Sequence, residues 1–209
     1  MKHLKMLCLA AIAALAAMAL AGAGSASATV LCKTTTTPCS SPYGKGSIFV
    51  PSLASGSSNV LEASFEEGGE EFVLQTCLQT KVKVEIENSG GSTSTVSGPV
   101  RELVGGSCAY PMTTLKAGSL EIHHISGTDN GTVTGSFTEV TVNSALFGSC
   151  VYGVGTGNDF GTLFGGESPT LKVNGIVKKT GGSIICPSEA RWTGEYKVTE
   201  PTPLYVEPS

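Results

Sequence analysis

The sequence predicts an all-β fold, an antiparallel β-sandwich or a partly open barrel whose strands are tied by disulfides. Short runs with apolar residues at alternate positions recur along the chain, and clusters of glycine, serine, asparagine and threonine separate them. No stretch after residue 28 has the sustained periodicity and capping residues of a helix. Six cysteines follow residue 28, and an even number in an exported chain indicates disulfides.

The N-terminal segment has the order of features found in a secretory signal peptide. A basic start within residues 2–5 is followed by an apolar run at residues 6–20 and a small-x-small motif at residues 26–28. The apolar run is shorter than the roughly 20 residues that a membrane-spanning helix needs. We therefore expect residues 1–28 to be removed as a signal peptide and residues 29–209 to form a single all-β domain that is secreted and extracellular.

The charge of this predicted mature chain limits its partners. Removing Lys2 and Lys5 with the signal changes the net charge from −4 to −6, because the signal has no acidic residue. Nucleic acids and anionic membranes both favour proteins with basic patches. We expect no nucleic-acid partner and no membrane insertion after signal removal, whereas a cell-surface or glycan partner is compatible with the composition.

The first predicted hairpin joins residues 60–65 to residues 72–77 across a Gly-Gly turn. A two-residue turn there would set Ala63 opposite Leu74 and would give the hairpin one apolar face. The apolar alternation then continues for several residues, which predicts a long half-buried strand with Leu78 on its inner face and a bend near Cys77–Thr80.

The central hairpin spans Ser119–Val142 and is predicted to turn at Asn130-Gly131. Asn-Gly between alternating apolar runs favours a type I′ turn, in which both residues have positive φ. A β-bulge at Phe137–Glu139 would then set Ile122 opposite Val140 and keep the apolar residues on one face.

Two aromatic residues mark the last predicted strand. Trp192 and Tyr196 alternate on one of its faces, and packing in the core is the favoured interpretation for both. The alternative is an exposed platform on which a sugar ring stacks, which makes them weak candidates for a carbohydrate site. The remaining strands are predicted at residues 47–50, 93–103, 171–177 and 191–199.

The six cysteines permit fifteen pairings, and sequence alone does not choose among them. The six residues between the first two cysteines allow a local bridge. Two Gly-Ser-Cys motifs flank the central hairpin, which suggests that their cysteines pair. The two cysteines that remain are then paired with each other. We predict the disulfides Cys32–Cys39, Cys108–Cys150 and Cys77–Cys186.

No set of residues in the sequence converges on a catalytic mechanism. His123 and His124 are the only histidines after the signal, and neighbours on a strand point to opposite faces. There is no Gly-x-Ser-x-Gly motif, and the Gly-rich segment at residues 153–167 lacks the lysine of a phosphate-binding loop. We therefore predict no enzyme activity and no cofactor.

An acidic cluster occurs where the first hairpin turns. Four carboxylates facing each other in pairs would repel, and a hard cation such as Ca²⁺ would relieve that repulsion. The favoured interpretation is a solvated hairpin tip without a metal, because the segment lacks the Asp, Asn and carbonyl ligands of a calcium shell. The weak metal candidates are Glu66, Glu67, Glu70 and Glu71.

Several short motifs distributed over the mature chain carry a resemblance to known proteins. They are Leu31-Cys32-Lys33, Asn130-Gly131-Thr132, Cys186-Pro187, Ala190-Arg191-Trp192-Thr193 and the closing segment Pro201-Thr202-Pro203-Leu204-Tyr205-Val206. With this layout the chain resembles a group of exported, disulfide-containing β-rich proteins of unknown function found in many copies in some actinobacteria. The resemblance implies a secreted β-protein and implies no activity, site or substrate.

Three functions stay open at this point. The leading hypothesis is a secreted, disulfide-stabilised β-protein with a non-catalytic surface or binding role. The second is a carbohydrate- or cell-wall-binding module that uses exposed aromatic residues. The third is an enzyme of unrecognised type.

Overall fold

The computed structural model describes residues 28–64 and 71–209, so the predicted signal peptide and most of the acidic cluster lie outside the described residues. The described part of the chain is all-β, as predicted, and its strands are antiparallel. The strands are β1 (Thr29–Cys32), β2 (Ile48–Leu53), β3 (Asn59–Ser64), β4 (Glu71–Glu85), β5 (Asn88–Gly91), β6 (Ser94–Cys108), β7 (Met112–Lys116), β8 (Ser119–His124), β9 (Gly131–Ser136), β10 (Glu139–Ser144), β11 (Gly148–Gly153), β12 (Asn158–Phe164), β13 (Thr170–Gly182), β14 (Glu189–Glu200) and β15 (Tyr205–Pro208).

The strands form two rings, placed end to end, that share the four long strands β4, β6, β13 and β14. The first ring is closed by hydrogen-bonded pairs in the order β6, β8, β9, β12, β13, β14, β2, β4 and back to β6. The second ring runs β7, β10, β11, β13, β14, β3, β4, β6. It is open at one place, because no ladder joins β6 to β7 in the described chain. The architecture is therefore a partly open barrel, one of the two folds predicted.

The chain ends cap the first ring. β1 pairs with β15, and β1 also pairs with β5, which extends from β6. Leu31 and Val206 face each other across β1 and β15 and are fully buried. The Val206 N–H donates to the carbonyl of Asp129 (3.0 Å), so β15 is held against the loop of the central hairpin. The core inside both rings is built from the inward residues of alternating strands.

The predicted register of the central hairpin is wrong. Ile122 faces Val133 and not Val140, because the turn is a six-residue loop at residues 125–130. The Ile125 N–H closes this loop on the carbonyl of Asn130 (2.9 Å), and neither Asn130 nor the following glycine has positive φ. Loop hydrogen bonds of this kind replace the predicted type I′ turn.

An irregularity does occur where the β-bulge was predicted, but it has a different form. β7–β8 and β9–β10 make one long hairpin that is interrupted where Phe137, with φ of 59°, separates β9 from β10. Beyond this point Glu139 faces Lys116 and the register then shifts by one residue. The extra residue is Leu115, so the β-bulge lies on β7 and not at Phe137–Glu139.

The first hairpin is also shifted from the predicted register. Ala63 faces Phe72 and not Leu74, and a further irregularity follows at Leu61. Leu78 was predicted to face the core but is 62% exposed, because the inward parity of β4 changes between Cys77 and Thr80. Apolar alternation therefore located this strand correctly but placed Leu78 on the wrong face.

Three disulfides link the cysteines of the described chain, namely Cys32–Cys39, Cys77–Cys108 and Cys150–Cys186. The first was predicted correctly, whereas the predicted pairs Cys108–Cys150 and Cys77–Cys186 are wrong. Cys77 and Cys108 face each other on the paired strands β4 and β6, so strand pairing decides this bridge. β11 pairs with the end of β13, and the loop after β13 brings the last cysteine back to Cys150.

We predict that the three bridges contribute unequally to stability. Cys150–Cys186 spans 36 residues and Cys32–Cys39 spans 7. In the chain-entropy account, replacing both cysteines by alanine should cost about 4 kcal/mol for the long loop and about 2 kcal/mol for the short one. Denaturant unfolding measures both losses. Equal losses, or a non-reducing peptide map that links Cys77 to Cys186, would contradict this assignment.

Candidate functional site

An apolar cavity of about 80 Å³ lies inside the barrel, where the two rings meet. Both rings and all four shared strands contribute to its wall, which contains no charged side chain. We call it the interior cavity. Its wall is formed by Pro51, Val82, Val100, Leu103, Ala117, Ser119, Leu120, Val133, Thr134, Gly135, Thr138, Val140, Tyr152, Val154, Phe160, Leu171, Val173, Val177, Trp192 and Tyr196.

Aromatic side chains from β12 and β14 form one side of this cavity. The ring centroids of Phe160 and Trp192 lie 6.3 Å apart in a tilted arrangement, and the Trp192 Nε1–H donates to the Tyr196 hydroxyl (3.4 Å). Phe160 occupies the space above Gly175, where a Cβ atom would overlap the phenyl ring. A glycine is therefore needed on β13 for the phenyl ring to turn towards the cavity.

Trp192 and Tyr196 do not form an exposed platform. Trp192 is 7% exposed and Tyr196 is 2% exposed, so no sugar ring could stack on either from solvent. The prediction of a carbohydrate platform at these two residues is wrong, and their interpretation as core residues is confirmed. Sequence reasoning missed the cavity itself, because no local pattern shows that residues distant in sequence leave space between them.

The polar side chains in the cavity wall are neutral, and both of its tyrosine hydroxyls have hydrogen-bond partners. Burial raises the pKa of Tyr196 to about 12, an effect partly offset by its hydrogen bonds with Trp192 and Thr80. Burial likewise raises the pKa of Tyr152 to about 12, and its hydroxyl donates to the Pro187 carbonyl (3.1 Å). Both phenols stay protonated at neutral pH, so the cavity favours uncharged contents.

We predict that Tyr196 makes stability fall in alkali. Because its folded pKa lies above the unfolded value of 10, its contribution is complete below pH 10 and is lost as the pH rises through about 12. The full loss is about 3 kcal/mol. Urea unfolding between pH 9 and 12 should therefore show a shallower decline for Tyr196→Phe than for wild type. Tyr110→Phe, at a more exposed tyrosine, is the control, and equal declines in all three proteins would contradict the assignment.

The predicted metal candidates are only partly described. Glu66, Glu67 and Glu70 lie outside the described residues, and Glu71 is an exposed residue at the start of β4. Within residues 28–64 and 71–209, no group of three or more His, Cys, Asp or Glu side chains could hold a metal ion. That the acidic hairpin tip carries no metal stays a prediction.

The two histidines of β8 lie away from the interior cavity. His123 Nε2 lies 3.8 Å from a carboxylate oxygen of Glu121 on the same strand. His124 Nε2 lies 2.7 Å from the carbonyl oxygen of Thr128, within the loop of the central hairpin. Neither histidine belongs to the cavity wall.

No protein-family model, no curated protein and no solved structure matches this chain. In the part of the chain that the structure describes, no helix is long and apolar enough to cross a membrane.

Proposed function

We propose that this is a secreted, non-catalytic binding protein that holds a small apolar molecule in the interior cavity. The observation that carries the proposal is the apolar, uncharged wall of a cavity lined by residues of both rings. Apolar pockets with few polar groups are the usual form of small-molecule sites in proteins. The three disulfides indicate an oxidising compartment, which supports the proposed secretion.

The chemistry of the wall favours an apolar molecule over water. Among the described residues, Glu207 Oε1 is the one buried side-chain oxygen or nitrogen without a hydrogen-bond partner, and it is not part of the wall. A buried water needs several polar partners, whereas an engineered apolar cavity of about 150 Å³ stays dry and binds benzene. At about 80 Å³, the interior cavity suits a smaller ligand, such as the end of an alkyl chain.

The open side of the second ring offers an entrance. Leu103 and Ala117 line the cavity on either side of the place where β6 and β7 form no ladder, and both are half-buried. The Thr114 hydroxyl donates to the Leu103 carbonyl (2.7 Å) across this gap. Parting β6 from β7 disturbs no backbone ladder, so less free energy is needed there than between paired strands.

We predict that filling the cavity abolishes ligand binding. Xenon and propane, which are smaller than benzene, should raise the melting temperature of wild type by about 5 °C at dissolved concentrations well above Kd. Ala117→Leu places extra methyl groups in the cavity and should remove this rise. Ala109→Leu makes the same change at an exposed alanine and should keep it.

Two results would overturn the proposal. One is a folded wild-type protein that no apolar probe stabilises. The other is an equal rise in wild type and Ala117→Leu, because the probes would then bind elsewhere. Loss of fold in Ala117→Leu is recognised by its far-UV spectrum, and Val177→Leu, on another strand of the wall, then replaces it.

A second candidate function, glycan binding, is favoured by a polar groove on the outer face of β12, β13 and β14. Arg191 donates to the Asn174 amide oxygen (2.8 Å), and Lys172 lies over the Phe164 ring at 5.6 Å. Asp159 also lines the groove. Fixed hydrogen-bonding groups beside an aromatic ring suit sugar hydroxyls and a sugar ring face.

Glycan-array or cell-wall binding tests this second candidate. Binding that is lost in Asn174→Ala and retained in Trp192→Phe would place a glycan on the outer groove, because Trp192 is buried on the inner side of the same sheet. The absence of binding to any glycan or wall fraction would remove this candidate.

A further inference from the structure

Three turns meet at the free end of the second ring and expose aliphatic and aromatic side chains. Leu146, in the β10–β11 turn, is 69% exposed, and Ile184 and Ile185, after β13, are 93% and 56% exposed. Tyr110, in the β6–β7 turn, is also partly exposed. We call the residues 109–111, 145–147 and 184–185 the apolar end.

The two isoleucines are unusual residues for the position they occupy. The Cys186 N–H donates to the Ser183 carbonyl (3.1 Å), which closes a four-residue turn with Ile184 and Ile185 at its centre. Turn centres favour Gly, Pro, Asn, Asp and Ser, whereas stiff β-branched side chains are disfavoured there. Neither burial nor turn formation explains these residues, and large exposed apolar patches mark interaction sites.

The turns of the apolar end are fixed to one another. The Cys150–Cys186 disulfide joins the isoleucine turn to β11. The side chain of Gln75 bonds both the N–H and the carbonyl of Tyr110 (3.1 and 2.5 Å), and the Asn143 amide donates to the Pro111 carbonyl (3.1 Å). The side chains are therefore presented by a rigid framework.

Two carbonyl groups of the isoleucine turn have a hydrogen-bond donor within the protein. The Lys179 ammonium donates to the carbonyls of Ile184 and Cys186 (3.3 and 3.4 Å). These two carbonyls need no water, and the flexible lysine stem lets the ammonium reach the headgroup level while the turn enters a dry environment. This arrangement suits a partner that excludes water.

Apart from the Lys179 ammonium on the isoleucine turn, the segments that build the apolar end carry no charged side chain. Residues 105–115, 140–158 and 180–188 contain no Asp, Glu, Lys or Arg. The contact between Phe72 and Phe147, 6.4 Å between ring centroids, places the start of β4 beside this end, and Glu71 precedes Phe72 there. Because Glu71 and the Lys179 ammonium place charges of both signs beside the apolar end, it does not prefer a surface of one sign and suits a zwitterionic one.

We propose that the apolar end docks on the surface of a zwitterionic lipid membrane, with the side chains of Leu146, Ile184 and Ile185 entering the interface. Such docking is peripheral, because only turn residues enter and every strand stays outside. A soft lipid phase accepts projecting side chains without a complementary partner surface. Tyr110 suits the headgroup level, where amphipathic rings accumulate.

Vesicle co-sedimentation tests the proposal with the full mature protein. Wild type should bind phosphatidylcholine vesicles, and the double variant Ile184→Ser/Ile185→Ser should bind at least about tenfold more weakly. The double variant Leu78→Ser/Val104→Ser removes two aliphatic side chains that are 62% and 50% exposed on the side of the barrel. It should bind like wild type.

A second measurement reports the depth of contact. Ile184→Trp places an indole at the turn, and its fluorescence should shift to the blue with phosphatidylcholine vesicles and be quenched by brominated lipid. No binding by wild type, binding confined to phosphatidylglycerol vesicles, equal loss in both double variants, or an Ile184-dependent dimer by light scattering without lipid would each overturn the proposal.

Discussion

The structure depends on four strands that are long enough to belong to two rings at once. β4 and β6 have 15 residues each, β13 has 13 and β14 has 12. A 15-residue strand extends about 50 Å. Each of these strands pairs with one set of neighbours along its first half and another along its second half. The two rings therefore share one core and cannot separate without breaking the ladders of all four strands.

This sharing explains where the unfilled space lies. Where the two rings meet, the barrel wall changes from the short strands of one ring to those of the other. The long hairpin is interrupted at this level, at Phe137 and between β7 and β8. Side chains cannot alternate regularly across such breaks, so packing is least complete there. The interior cavity occupies this junction, with Trp192 and Phe160 on one side. The proposed ligand site thus follows from the architecture and needs no separate domain.

Local patterns predicted most of what depends on local chemistry. Alternation located β4, β13 and β14, and short spacing identified the Cys32–Cys39 bridge. The errors occurred where distant strands decide the outcome. Leu78 points outward because β4 changes parity within its length, and Cys77 joins Cys108 because β6 lies beside β4. The interior cavity and the apolar end could not be predicted, since each is assembled from turns and strands far apart in sequence.

The central claim is that the interior cavity is a dry, apolar site. The most direct test is a crystal structure of residues 29–209 under xenon pressure, because xenon occupies apolar cavities and leaves polar, hydrated ones. The account predicts xenon density between Trp192, Leu103 and Val177, with no ordered water before pressurisation. Ordered water molecules in this space, or a cavity closed by repacked side chains, would contradict it.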